Sequence, residues 1–149
     1  MQQPFATARE VSEFLLERTG TALLRDNFDV FSSCISLPLK IETFAGQRLI
    51  TSPEETYQVF RAVRSYHRRT GVTDIVRHCV EAAFKDPHTV TATHETRLLG
   101  GDIMTQDPYP GFSVLKFDGK AWRIASMSYA IEDRDDHNAA LMSAGTTTP

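Results

Sequence analysis

The sequence lacks the features that mark nucleic-acid-binding and membrane-spanning proteins. Its net charge is -3 at pH 7, and no stretch is dense in Lys and Arg, so we expect no nucleic-acid partner. No segment approaches the ~20 apolar residues that a membrane helix needs, and no basic region followed by an apolar run opens the chain. We therefore expect no membrane partner and a cytoplasmic location.

Cysteine is also scarce, and the two that occur have no recognisable pattern. Cys34 and Cys79 lie far apart, without CxxC or zinc-ligand spacing, which is typical of two reduced, partly buried thiols. The histidines and carboxylates show no set of metal ligands either, because at most two histidines fall together. We expect neither a metal nor another cofactor.

A chain of 149 residues is suited to one domain with one core. We predict a single domain over residues 1–132. The polar segment 133–149 is predicted to be a largely mobile tail with room for a short helix at 138–143.

Three helices are predicted in the first half of the chain. Thr7 and Glu10 form a capping box that begins a helix over residues 7–19, which ends near Gly20. A shorter and less regular apolar stripe predicts a second helix over 21–34. The third begins at Ser52-Pro53, where serine caps the helix and proline suits its first position, and it ends at 68–71.

Alternating apolar residues predict three hairpins. A small one spans 39–51, and a long one pairs a strand over 74–85 with a strand over 89–99. The last pairs 112–117 with 122–129 through Asp118-Gly119, a dipeptide that favours tight turns because glycine accepts a positive φ.

The register of the middle hairpin determines which polar side chains meet. A three-residue loop at 86–88 makes the apolar faces of the two strands coincide, and it pairs Val80 with His94. His78 and His94 then become diagonal neighbours on one face, roughly 7 Å apart. In the last hairpin the same reasoning places Trp122 and Ser126 on one face.

The order of these elements resembles the NTF2-like superfamily, which includes the SnoaL-like and ketosteroid-isomerase-like proteins. The resemblance covers about residues 6–131 and is most specific in Asp118-Gly-Lys-Ala-Trp-Arg-Ile124 and Ser52-Pro-Glu-Glu55. It implies an α+β cone in which three N-terminal helices pack on a strongly curved, mainly antiparallel sheet. It also implies an apolar pocket inside the cone and homodimers packed through the sheet.

The resemblance does not extend to the isomerase chemistry. Ketosteroid isomerases carry an aspartate base on the strand after the second helix, whereas the matching stretch here, residues 36–43, contains no aspartate. Glu42 alternates with Ile41 and Thr43 and is predicted to face solvent. Steroid isomerisation is therefore disfavoured.

We interpret the chain as an NTF2-like protein that binds a small, largely apolar molecule inside the cone. His78 and His94 are the candidate catalytic residues, because imidazole titrates near neutral pH and can act as a general base. Tyr57, Trp122 and Ser126 are candidate ligand-binding residues. Such a site is compatible with cofactor-independent isomerase, cyclase or dehydratase chemistry; the alternatives are a noncatalytic ligand-binding domain and a dimeric interaction module.

Overall fold

The computed structural model describes residues 2–144 and contains four helices and seven strands. Three helices lie in the first half of the chain and one follows the last strand. The helices are α1 (Ala8–Leu24), α2 (Phe28–Ser33), α3 (Pro53–Arg69) and α4 (Asp135–Leu141). The strands are β1 (Ile35–Thr43), β2 (Gly46–Ile50), β3 (Asp74–Asp86), β4 (Thr89–Gly100), β5 (Ile103–Met104), β6 (Tyr109–Phe117) and β7 (Trp122–Tyr129).

The two predicted helix starts are confirmed. The Thr7 side chain accepts a hydrogen bond from the Glu10 N–H, and the Ser52 side chain accepts one from the Glu55 N–H. The predicted end near Gly20 is wrong, because α1 continues through this glycine to Leu24. Helical packing overrides the intrinsic cost of about 1 kcal/mol for a glycine inside a helix.

The seven strands form one curved, mainly antiparallel sheet with the order β2-β1-β7-β6-β4-β3, and β5 pairs with β4. Only β1 and β7 run parallel within this described sheet. The Asp-Gly turn is confirmed, with Phe117 paired to Trp122 and the Asp118 carboxylate accepting from two N–H groups of the loop. Helices cover the concave face, called the inner face below.

A β-bulge at Val80 makes the predicted register of β3 and β4 only half right. Near the turn Ala82 pairs with Ala92, as predicted, but beyond the bulge Cys79 rather than Val80 pairs with His94. Relative to the predicted register, this extra residue moves the side chains of residues 74–79 to the opposite face of β3. Arg9 of α1 stabilises the bulge, because its guanidinium donates to the carbonyls of Cys79 and Val80 at 2.6 and 3.1 Å.

A second irregularity changes the faces of β7. Leu115 pairs with Ile124 and Val114 with Ser126, so Ala125 is an extra residue on β7. Ile124 therefore lies on the inner face, while Ser126 lies on the outer face.

The segment after residue 132, which we expected to be largely mobile, contains α4. This helix packs on α3 and buries His137, Asn138 and Leu141. The Asn138 amide donates to the Ile131 carbonyl at 3.0 Å, which fixes the start of the segment against the sheet. The expected mobility of residues 145–149 lies outside the described residues. Within residues 2–144 no helix is long and apolar enough to cross a membrane.

Candidate functional site

The interior of the cone contains a cavity of about 70 Å³ between the helices and the inner face of the sheet. Most of its wall is apolar and comes from α3, β1, β4 and β7. Polar side chains occur at several points of the wall: Thr19, Thr56, His67, Arg77, Thr96, Tyr109, Tyr129 and His137. An apolar cavity with a few convergent polar groups is the usual form of a small-molecule site.

Arg77 and Tyr129 form the polar wall nearest α1, called the arginine end below. The bulge at Val80 places Arg77 on the inner face of β3, where it is half-buried. Its Nη1 donates to Thr19 Oγ1 at 2.7 Å and to the Leu16 carbonyl at 3.4 Å. Its Nη2 donates to the Tyr129 hydroxyl at 3.4 Å.

His67 and His137 form a second polar wall, called the histidine end below, where α4 covers α3. The His137 ring stacks on Tyr66 with centroids 4.4 Å apart, and the two histidine rings lie 6.3 Å apart. Gln106 connects the cluster: its amide oxygen accepts from the Tyr66 hydroxyl and its nitrogen lies 3.2 Å from His137 Nδ1.

Tyr109 lies between the two ends. Its ring packs edge-on against Tyr129 at 5.9 Å and against His137 at 5.3 Å. Burial raises the pKa of its phenol, and the neighbouring Tyr129 adds to that shift. Tyr109 is therefore a neutral hydroxyl throughout the physiological pH range.

The histidines of the cavity are neutral at pH 7. Burial lowers the pKa of His67 to about 4, and the positive charge of Arg77 adds to that effect. Burial also lowers the pKa of His137 to about 3. The His67 imidazole makes no hydrogen bond to any residue between 2 and 144, whereas Gln106 contacts His137. His67 consequently offers a free proton acceptor beside the cavity.

The structure does not bring the two predicted catalytic histidines together. His78 lies exposed on the outer face opposite Glu95, while His94 lies buried on the inner face. The prediction that they share a face is wrong because the bulge at Val80 reverses the faces of β3. The His94 ring packs edge-on against Tyr129 behind the cavity wall, and burial lowers its pKa to about 3. Neither histidine lines the cavity.

The three predicted ligand-binding residues also lie away from the cavity. Tyr57 is 42% exposed on α3 and packs edge-on against Phe28. Trp122 is buried, but it packs against Phe117 and donates to Gln3 at 3.2 Å. Ser126 lies on the outer face as a result of the bulge in β7. The catalytic and ligand-binding roles of these residues stay predictions.

Sequence reasoning missed the polar groups that do line the cavity. Arg77 alternates with apolar residues in a way that predicts an outward side chain, and a bulge has no local sequence signature. His137 lies in a polar segment without a helix cap. Of these three residues, only His67 is placed towards the interior by the sequence pattern, since it continues the apolar stripe of α3.

Comparison with known proteins identifies the fold but not the reaction. No protein-family model matches the sequence, and no curated protein matches it. A solved NTF2-like protein of unknown function from Shewanella oneidensis is similar to this chain, with a TM-score of 0.64 and 11% identity over 82% of this chain and 98% of the other. A ketosteroid isomerase-like protein from Erwinia carotovora has a TM-score of 0.62 and 14% identity, over 85% and 97% of the two chains.

A third solved structure, from Catenulispora acidiphila, was determined in complex with S-DNPA. It has a TM-score of 0.61 and 17% identity, and the match covers 85% of this chain and 94% of the other. The chain thus has the NTF2-like fold, an α+β cone, as the order of its elements predicted. Identities this low establish the fold alone.

Proposed function

We propose that the protein binds a small, largely apolar molecule in the cavity of the cone. The observation that carries this proposal is the cavity itself, because close-packed interiors leave few voids larger than a water molecule. At about 70 Å³ it is smaller than the sites of drug-sized ligands, so the ligand is small. The complex of the Catenulispora acidiphila protein with S-DNPA supports the idea that this fold can hold a small molecule.

Xenon binding, followed by the shifts of methyl NMR signals, tests the proposal even while the natural ligand is unidentified. Apolar cavities take up xenon, so the methyl groups of Ile41, Leu98 and Met127 at the cavity wall should shift as xenon pressure rises. The exposed methyl groups of Leu49 and Val80 are internal controls. Equal shifts at both sets would contradict the proposal and favour a packed cone that acts as an interaction module.

We further propose that the site is suited to cofactor-independent acid–base chemistry with His67 as the base. The supporting observation is a neutral imidazole that lines the cavity and has no hydrogen-bonding partner among the described residues. A general base needs geometry first and a suitable pKa second, and His67 satisfies the first condition better than His78 or His94. Residues 2–144 contain no cluster of three or more His, Cys, Asp or Glu side chains placed to hold a metal ion.

Native mass spectrometry can identify a copurified ligand, and D₂O then tests for proton abstraction. We expect His67→Ala to abolish incorporation of deuterium into that ligand. His94→Ala and His78→Ala, which change the residues predicted from the sequence, should leave incorporation within a few-fold of wild type. Loss of incorporation in His94→Ala alone would transfer the role of the base to His94.

We also propose that the outer face of the sheet packs against a second copy of the chain. Val76, Val80 and Phe112 lie exposed there, and apolar side chains in this number on one face favour association. A cytoplasmic location is the accompanying proposal, supported by the free cysteines Cys34 and Cys79, which are typical of a reducing compartment.

A further inference from the structure

The arginine end carries a positive charge that no described carboxylate neutralises. The three hydrogen bonds of the Arg77 guanidinium go to the Thr19 hydroxyl, the Leu16 carbonyl and the Tyr129 hydroxyl, all of which are neutral. No carboxylate of residues 2–144 lies within 4 Å of this guanidinium, since none of the ion pairs includes Arg77. A charge removed from water is costly unless a charged partner compensates it.

Other arginines of the protein do have carboxylate partners. Arg97 pairs with Glu95 at 2.8 Å and Arg123 with Asp118 at 2.7 Å. Arg64 of α3 pairs with Asp26 at 3.3 Å. Arg77 therefore differs from these residues in facing a cavity and in lacking a counter-charge.

The guanidinium also retains free donors on the edge suited to a carboxylate. Its Nη1 makes two hydrogen bonds, whereas Nη2 makes one long contact and Nε makes none to a described residue. Nε and Nη2 together form the planar fork that binds both oxygens of a carboxylate. The Tyr129 hydroxyl accepts from Nη2 and donates to no described residue, so its proton is available to the same anion.

The remainder of the cavity accommodates only a short hydrocarbon group. Leu98, Ile124 and Met127 form part of the apolar wall of the cavity. The volume of about 70 Å³ is roughly half that of a cavity known to hold benzene. A long acyl chain or a ring system does not fit without movement of the wall.

We propose that Arg77 and the Tyr129 hydroxyl form an anion-binding site at one end of the cavity, and that the ligand is a short-chain carboxylate. This inference rests on the proposed function, because it names the class of molecule that the cavity binds. The carboxylate supplies the missing counter-charge, while the hydrocarbon part contacts the apolar wall.

Propionate and propionamide provide a matched test, because they have nearly the same shape and differ in charge. At constant ionic strength and pH 7 we expect propionate to bind the wild-type protein at least about ten-fold more tightly, as measured by titration of the cavity methyl signals. Octanoate should bind more weakly than propionate, since its chain exceeds the cavity.

Variants test whether Arg77 and Tyr129 cause the preference for propionate over propionamide. Arg77→Met should remove the preference for propionate over propionamide, and Tyr129→Phe should reduce it several-fold. Arg97→Met is the matched control, because Arg97 lies on the neighbouring strand, faces solvent and is paired with Glu95. It should leave the preference unchanged. If Arg77→Met does not fold, the anion site is tested by the ratio of the affinities for propionate and propionamide. This ratio is then compared between the wild type and Tyr129→Phe.

The outcomes separate this inference from the proposed function. Equal affinity for acid and amide would overturn the anion site and leave a neutral binding cavity. Binding of neither compound, combined with xenon shifts at the cavity methyl groups, would overturn the carboxylate class alone. Binding of neither compound without xenon shifts would overturn the proposed function as well.

Discussion

Position 111 is occupied by glycine, and any larger residue there would clash with His94 and Tyr129. A Cβ atom at this position of β6 would come within 2.5 Å of His94 Cε1, 2.6 Å of His94 Nε2 and 2.9 Å of Tyr129 Cε1. His94 Nε2 is itself buried without a hydrogen-bond partner among the described residues. The structure thus accounts for His94 as a packing residue beside Tyr129, and its catalytic role stays a prediction.

We expect Gly111→Ala to lower the free energy of unfolding by about 1–3 kcal/mol, the usual cost of overpacking a core. Gly20→Ala is the matched control, since its Cβ would lie at an ordinary 3.8 Å from Arg77 Cδ inside a helix. It should be neutral or stabilising by up to about 1 kcal/mol. Urea unfolding measures both, and the double variant Gly111→Ala/His94→Ala should recover part of the loss. Equal stability of the two glycine variants would contradict this explanation.

At the scale of elements, two β-bulges determine which side chains the cavity receives. The bulge at Val80 turns Arg77 inward and His78 outward, and the irregularity at Ala125 turns Ser126 outward. Six of the seven strands, their order along the chain and the Asp-Gly turn were predicted from alternation and turn chemistry, whereas the short strand β5 was not. The face of the sheet on which each side chain lies was not predicted, because an extra residue in one strand reverses the faces of the side chains on one side of it.

Helix α4 closes the histidine end of the cavity, so a change in its buried residues should lower the free energy of unfolding of the domain. Leu141 of α4 is buried and lines the cavity. We expect Leu141→Ala to lower the free energy of unfolding by about 2–4 kcal/mol, as measured by urea denaturation, because it enlarges an existing void.

Leu49→Ala on the edge strand β2 is the control for this prediction. Leu49 is 57% exposed, so its truncation should change the free energy of unfolding by well under half as much. If the two leucine variants were equally stable, α4 would not belong to the cooperative core.

For the whole molecule, the buried histidines predict a stability that depends on pH. Burial lowers the pKa of His67 to about 4 and of His94 and His137 to about 3, whereas unfolded histidine titrates near 6.5. Below pH 6.5 the unfolded state therefore binds more protons than the folded state. The free energy of unfolding should decrease as the pH falls below 6.5, with a limiting slope of about 1.4 kcal/mol per pH unit for each histidine.

Urea unfolding at pH 7.5, 6.0 and 5.0 measures this dependence above the range in which most carboxylates titrate. His137→Gln should reduce the slope, and His88→Gln, at an exposed turn residue, should not. A free energy of unfolding that stays constant from pH 7.5 to pH 5.0 would show that these histidines are not buried in the neutral form.

The proposed homodimer can be tested by changing one apolar residue of the outer face. Phe112 is 44% exposed on the outer face, so Phe112→Glu should convert the dimer to a monomer in sedimentation equilibrium at micromolar concentration. Phe44→Glu, at the more exposed β1–β2 turn, should leave the dimer intact. A wild-type protein that is monomeric at this concentration would refute the proposal.

Features that depend on neighbours in the chain were determined by the sequence itself. The helix starts at Thr7 and Ser52, the alternation of the strands and the turn at Asp118 follow from local hydrogen bonds and backbone preferences, and their order predicted the NTF2-like cone. The inner surface of that cone depends on contacts between distant residues. Arg9, 70 residues from Cys79, satisfies the carbonyl groups of the bulge that directs Arg77 inward. Local pattern cannot encode such a contact, because the bulge and its partner meet only when the helices pack on the sheet.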